Sequence, residues 1–384
     1  MIEARVFIDA ALARGYRWYT GVPCSFLTPF INEAIADQRL HHIPAPNEGD
    51  AVALAAGLWT GGERSVVMMQ NSGLGNAVSP LSSLVSVFGI PMLLVCTHRG
   101  APGVVDEPQH ALMGRITPSM LDLLEIPWER FPDSAHGTQP ALDRAEQHFR
   151  AQPGAYALVL ANGSVAGPTL PPSAGIPGKR RASPAGTFTA AGATMTRQAA
   201  LSIVLAHSAP ATTVLVATTG YTGRELFALA DRPNHFYMVG SMGCASAFGV
   251  GLALARPDLQ VIVLDGDGAA LMRLGNFALA GHACVPNLTH LLLDNQMHES
   301  TGGQATLAPH VDFAGLAAGC GYARAQRAET EVQLRDFLSA PPDPNGARFL
   351  HLRTRPGIAS ALPRPDVLPP AVMARLRRHL GLNA

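Results

Sequence analysis

Asp267 and Asn295 carry the strongest chemical signal in the sequence. Asp265-Gly266-Asp267-Gly268 follows the apolar run 261–264, and Asp294-Asn295 closes a second run, 288–293. The 28 residues from Asp267 to Asn295 are enough for a helix and a return strand. Two parallel strands joined by such a crossover bring both polar side chains to one carboxyl edge, where open α/β sheets bind ligands. Each side chain offers one hard oxygen. Mg2+ takes about six in octahedral array and commonly borrows some from phosphates. Gly266 and Gly268 let the backbone approach closely, and the helical stretch entered at Ala269 turns N–H groups toward an anion. A diphosphate clamped by Mg2+ satisfies all of these features. A bare Gly-Asp-Gly is often only a turn; the strand-end Asn at this distance makes it a binding motif.

Gly-Asp-Gly with a downstream Asn resembles the metal–diphosphate motif of thiamin-diphosphate enzymes. A second segment, Pro46-Asn47-Glu48-Gly49-Asp50 running on to Gly57, is similar to that family's pyrimidine-binding segment. The resemblance narrows in Gln70 to Val78, in His98 to Gly103 with Asp106-Glu-Pro-Gln-His110, in Gly240 to Ser246 and in His298 to Gln304. Together these resemble the phosphonopyruvate branch of the 2-oxo acid decarboxylases and, more distantly, the sulfopyruvate branch. The likeness runs in one order from Val6 to Leu352, without the middle domain of larger members.

The resemblance implies roles residue by residue. Glu48 activates the cofactor, while Asp267, Asn295 and the Met297 carbonyl hold Mg2+. Asn71, Thr219, Gly220, Gly266, Gly268 and Ala269 contact the cofactor, with Thr218 beside them. Met242 supports its bent form. His110 and His298 are acid–base candidates, and Ser25 stands where relatives carry a catalytic acid. A hydroxyl there would reduce repulsion toward a dianionic substrate. Arg99 and Arg224 are candidates for holding that substrate. Asp294 replaces the first of the family's usual two Asn residues, which leaves the ligand position intact. The implied reaction is loss of CO2 from 3-phosphonopyruvate, giving phosphonoacetaldehyde through the cofactor's ylide, in phosphonate biosynthesis. Sulfopyruvate decarboxylation is the nearest alternative, although those enzymes are often split between two chains. A carboligase of the acetolactate-synthase type is the other. The family also implies a homodimer or larger assembly, with sites at the subunit interface.

The elements that must position these residues are legible as alternation. Strand-length apolar runs fall at 65–70, 91–96, 156–160, 213–217, 261–265, 288–294 and 349–352, with helix-length segments at 50–59, 196–207, 245–255 and 268–282. Runs apolar throughout suit parallel strands covered on both faces. The expected fold is therefore α/β, with two doubly wound parallel-sheet domains. A Pro-, Gly- and Ala-rich stretch, 166–192, reads as a linker between a pyrimidine-binding domain (1–165) and a diphosphate-binding domain (193–384). No sequence repeat relates the halves.

Composition excludes other classes. The 384 residues carry 28 basic and 28 acidic side chains, a formal charge of zero, so no basic face for nucleic acid is expected. The five cysteines form no C-x-x-C pair, which points away from a zinc site or disulfide framework and toward a reducing cytoplasm. Neither a signal peptide nor a membrane span is expected. Gly73-Leu74-Gly75 imitates a dinucleotide fingerprint, but Val78 stands at the third glycine position and no acid ends the next strand.

Overall fold

The computed structural model describes residues 1–170, 184–189, 192–358 and 362–383. The chain forms two compact units, Met1–Pro177 and Gly178–Ala384. Most of the expected linker lies outside the described residues. Of its described part, Ala166 pairs with Glu3 in a two-stranded sheet, and Ala185 bridges to Gln326.

The first unit is built on six strands: β1 (Tyr16–Gly21), β2 (His41–Pro44), β3 (Arg64–Met69), β4 (Met92–Thr97), β5 (Trp128–Arg130) and β6 (Ala155–Leu160). All pair in parallel, in the order β2-β1-β3-β4-β6-β5. The interior strands β4 and β6 are buried at every residue, the consequence of helices on both faces. One layer is the interlocked rings of Phe7, Phe30 and Phe131, with centroids 4.9 to 5.4 Å apart. Helix α1 (Glu48–Thr60) connects β2 to β3; its start is fixed by Asn47, whose side chain accepts from the Gly49 N–H at 2.9 Å.

The second unit repeats the plan. Its strands are β7 (Thr213–Ala217), β8 (His235–Tyr237), β9 (Gln260–Gly266), β10 (Leu288–Asp294), β11 (Arg324–Ala328) and β12 (Arg348–Arg353). They pair in parallel in the order β8-β7-β9-β10-β12-β11, the same order as in the first unit. Each sheet reverses direction between its first and third strands, so each has a crevice at the carboxyl ends of those two. The two doubly wound parallel domains expected from the sequence are present. Among the described residues no helix is long and apolar enough to cross a membrane.

One expected helix is broken. The segment 268–282 forms α2 (Asp267–Met272) and α3 (Gly275–Ala283), interrupted at Arg273 and Leu274. Arg273 leaves helical geometry at φ −141° and ψ 56°, and Asn276 at the start of α3 ties back to the Gly243 carbonyl at 3.0 Å. Holding the Gly243 loop against α2 takes precedence over continuing the helix.

Candidate active site

At the crevice of the second unit, one pocket gathers Thr218, Thr219, Gly220, Met242, Gly266, Asp267, Gly268, Ala269, Asn295, Met297 and His298. Apart from the Met242 loop, these segments follow the ends of β7, β9 and β10. Asp267 is the first residue of α2 and is 3% exposed. Its Oδ2 accepts from the Thr306 hydroxyl at 2.5 Å. Burial pushes the carboxyl up to about 6, Thr306 opposes the shift and the nearby Asp294 adds to it. Asn295 is also buried, and its Oδ1 accepts from the Met297 N–H at 3.1 Å. Between them Gln296 adopts a left-handed φ of 63°, sharply turning the chain after β10. A short hairpin, Met297–His298 against Gln304–Ala305, then returns Thr306 to Asp267.

Glycine at 268 is required by contact. A side chain at Gly268 would meet His298 Cε1 at 2.4 Å, so His298 packs directly over the glycine backbone. Met242 is presented by a tight loop in which Gly240, Ser241 and Gly243 all have positive φ, 64°, 43° and 89°. Left-handed Ser241 is uncommon for a residue with a Cβ, and marks a conformation held by its surroundings. Thr218 is buried and its hydroxyl has no hydrogen-bond partner in the structure. Arg224 stands outside the pocket lining: its guanidinium donates to the Leu362 and Pro363 carbonyls at 2.5 and 3.3 Å.

Arg197, which no sequence motif marks, also lines the pocket. It pairs bidentately with buried Glu225 at 2.8 and 2.9 Å and with Glu299 at 2.7 Å. Thr306 was equally invisible, because it reaches Asp267 across 39 residues of sequence.

The first unit holds a second cluster. Glu48 opens α1 at 8% exposure, and its Oε2 accepts from Asn76 at 2.9 Å. Its other oxygen lies where a side chain on Gly73 would be, 2.1 Å from that position, so this close approach requires glycine. Asn71, two residues before, is fully buried; its amide donates to the Arg99 carbonyl at 2.9 Å and the Thr117 hydroxyl at 3.0 Å, while its Oδ1 has no partner. Arg99 donates to Ser25 at 3.2 Å and pairs with Asp106 at 2.5 and 3.0 Å. That guanidinium holds the Asp106 carboxyl well below its ordinary range. His110 is buried on the same loop, with Nδ1 unpartnered and its carbonyl packed against Gly100. Ser25, Arg99 and Asp106 thus form one hydrogen-bonded group, with His110 at the far end of the loop.

The fold and these rims define a thiamine pyrophosphate (thiamin diphosphate) enzyme. Residues 3–121 match the model of the N-terminal TPP-binding domain of such enzymes, and residues 218–351 that of the C-terminal TPP-binding domain. More narrowly, the chain belongs to the phosphonopyruvate decarboxylase family. It is 43% identical over 383 residues to the phosphonopyruvate decarboxylase of Streptomyces viridochromogenes, covering 98% of this chain and 94% of the relative. A sulfopyruvate decarboxylase from Methanosarcina acetivorans is 27% identical over 366 residues, covering 93% of this chain and 91% of the relative. Because that relative aligns along its length as one chain, fusion of the two halves does not by itself separate the two branches; the difference in identity does. The fold also matches the crystal structure of benzoylformate decarboxylase from Polynucleobacter necessarius, with a TM-score of 0.71 at 12% identity, over 92% of this chain and 99% of that one.

Proposed function

We propose that the chain decarboxylates 3-phosphonopyruvate to phosphonoacetaldehyde and CO2, with thiamin diphosphate bound through Mg2+. The observation that carries this reading is the convergence of Thr218, Gly220, Met242, Asp267 and Asn295 on one crevice of a thiamin-diphosphate fold. The substrate follows the whole-length likeness to a phosphonopyruvate decarboxylase.

The donor set suits a hard cation shared with a phosphate. Asp267 and Asn295 contribute one oxygen each and the Met297 carbonyl a third. Among the described residues no group of three or more His, Cys, Asp or Glu could hold a metal by itself, so the remaining oxygens are assigned to diphosphate and water. The unpartnered Thr218 hydroxyl is free for a phosphate oxygen, and Thr219, Gly220, Gly266, Gly268 and Ala269 offer close backbone approach. Once bound, the cofactor supplies the electron sink that a departing carboxylate requires.

The chain's own residues position groups and protons. Glu48, its second oxygen fixed by Asn76, holds a proton at the cofactor's pyrimidine, beside Asn71. Met242, which lines the pocket, would support the cofactor from below and hold its reacting groups close together. Arg99 and Ser25 meet the anionic ends of the substrate, and His110 and His298 move protons during product formation. The active unit is a homodimer, Glu48 of one copy serving the cofactor held at Asp267 of the other.

The test is purified protein with thiamin diphosphate and Mg2+, offered either acid, following CO2 and aldehyde. A preference for phosphonopyruvate of at least about tenfold in kcat/KM is expected, about 1.4 kcal/mol of discrimination. Faster sulfopyruvate turnover would reassign the substrate, and condensation with added aldehyde would indicate a carboligase.

A pH dependence follows from Asp267. Its carboxyl is raised to about 6 by burial, so between the ordinary carboxylate value and that point the folded chain binds more protons than the unfolded chain. The stability due to the neutral carboxyl is therefore present in acid and lost as pH rises through about 6. Mg2+ offsets the cost of the buried charge above that range. Addition of Mg2+ and thiamin diphosphate should accordingly raise Tm more at about pH 7.5 than at about pH 5; equal shifts in thermal unfolding would contradict this.

A further inference from the structure

Two buried aspartate–histidine pairs stand directly behind the two ends of the rim. Asp265, 0% exposed, ends the apolar part of β9. Its Oδ1 accepts from the Gly266 N–H at 2.9 Å and its Oδ2 faces His290 Nε2 at 3.2 Å. The other nitrogen of His290 meets the Tyr322 hydroxyl at 3.0 Å. Tyr322 is fully buried, which holds its phenol well above the ordinary range. The hydroxyl therefore stays a donor, Nδ1 accepts, and Nε2–H donates to Asp265.

Asp294 repeats this arrangement one strand further along. Its Oδ1 accepts from the Gln296 N–H at 3.0 Å, and its Oδ2 faces His351 Nε2 at 2.7 Å. The registers agree as well. His290 lies opposite Val263 and His351 opposite Leu292, in both cases the residue two before the aspartate. Residues two apart share a face of a strand, so each histidine reaches its aspartate diagonally across one pleat. Both aspartates divide their oxygens in the same way, one to a core histidine and one to a backbone N–H, that of Gly266 at the strand-to-helix junction bearing Asp267 or that of Gln296 in the loop bearing Asn295. The second loop contains Gln296 in its left-handed conformation, which persists only where neighbours enforce it.

We propose that His290 and His351 are positioning residues for the metal rim, each acting through its aspartate on the turn that aims Asp267 or Asn295. The inference rests on the reading of those two residues as Mg2+ ligands. It also accounts for aspartate at 294: an acceptor-only side chain satisfies both the Gln296 N–H and the His351 N–H, whereas an asparagine amide would set a donor against one of them. Partners of metal ligands commonly alter metal affinity by about 10- to 100-fold.

The experiment measures Mg2+ affinity by calorimetry in the presence of thiamin diphosphate, together with Tm of the metal-free protein, for the unaltered chain, His351→Phe, His351→Gln, Tyr322→Phe and Asp267→Asn. The Phe188 and Phe313 rings meet the His351 ring edge-on at 4.8 and 5.2 Å, contacts that an aromatic replacement can keep. His351→Phe should weaken Mg2+ binding by about 10- to 100-fold. His351→Gln, whose amide can still donate to Asp294, should recover most of that loss. Tyr322→Phe keeps the shape of the core and, acting one partner further from the metal, should weaken binding by about threefold or more, below the range of about 10- to 100-fold for direct partners of metal ligands. Variants that lose Tm but bind Mg2+ like the unaltered chain would overturn the proposal, as would a His351→Gln variant no better than His351→Phe. A different failure is separable: if Asp267→Asn leaves Mg2+ affinity unchanged, the metal site itself is misassigned and the positioning role falls with it.

Discussion

Replacing Glu48 by Gln is expected to lower kcat by about 10² to 10⁴, about 3 to 5 kcal/mol in the barrier, the usual contribution of a well-placed acid–base group. The substitution isolates the proton. Gln has the shape of Glu, so the close packing over Gly73, whose absent side chain would collide with Glu48 Oε1 at 2.1 Å, is preserved. Asn76, which donates to Oε2 at 2.9 Å, can still find an amide oxygen. The cap of α1 is made by Asn47 and is untouched. Tm and thiamin diphosphate affinity should therefore stay near those of the unaltered protein while single-turnover rates fall. Undiminished turnover would remove Glu48 from the chemistry.

Asp267→Asn should act in the opposite way, through binding. The amide keeps an oxygen but loses the charge, and Mg2+ affinity should fall by at least about 100-fold, the upper end of what even an outer partner contributes. Stability should move the other way. Burial already raises the Asp267 carboxyl to about 6, so at neutral pH its charge is an unfavourable feature of the metal-free fold. Removing that charge should leave Tm unchanged or higher in the absence of Mg2+, while abolishing the rise on adding metal and cofactor. A metal-free Tm well below that of the unaltered chain would show that Asp267 serves mainly the fold. Mixing the two variants gives a sharper result. If Glu48 of one copy serves Asp267 of the other, a mixed dimer places both lesions in one site and leaves the second intact. Activity should then reappear when inactive Glu48→Gln and Asp267→Asn proteins exchange subunits, and mixtures that stay inactive would argue against shared sites.

The sequence by itself determined the layout of the strands at the centre of each sheet and the residues at their ends. Runs such as 213–217 and 288–294 coincide with β7 and β10, because a strand covered on both faces is mostly apolar, without polar residues at every second position. Gly-Asp-Gly and the later Asn were legible for a related reason: they follow such strands directly, so local order fixes which edge they occupy. Several other strands were not. Tyr16–Gly21, His41–Pro44, Trp128–Arg130, His235–Tyr237 and Arg324–Ala328 mix aromatic, polar and apolar residues and become strands only through the neighbours they pair with. Only the tertiary structure decided that both units share one strand order despite unrelated sequences. It alone revealed the bonds that steady the rim: Thr306 to Asp267 across 39 residues, His351 to Asp294 across 57, and Arg197 to Glu299 across 102. Such partners have no local signature. Their meeting is set by the register of parallel strands and by the return of a hairpin, which the cooperative packing of a whole sheet fixes and no short stretch of residues encodes.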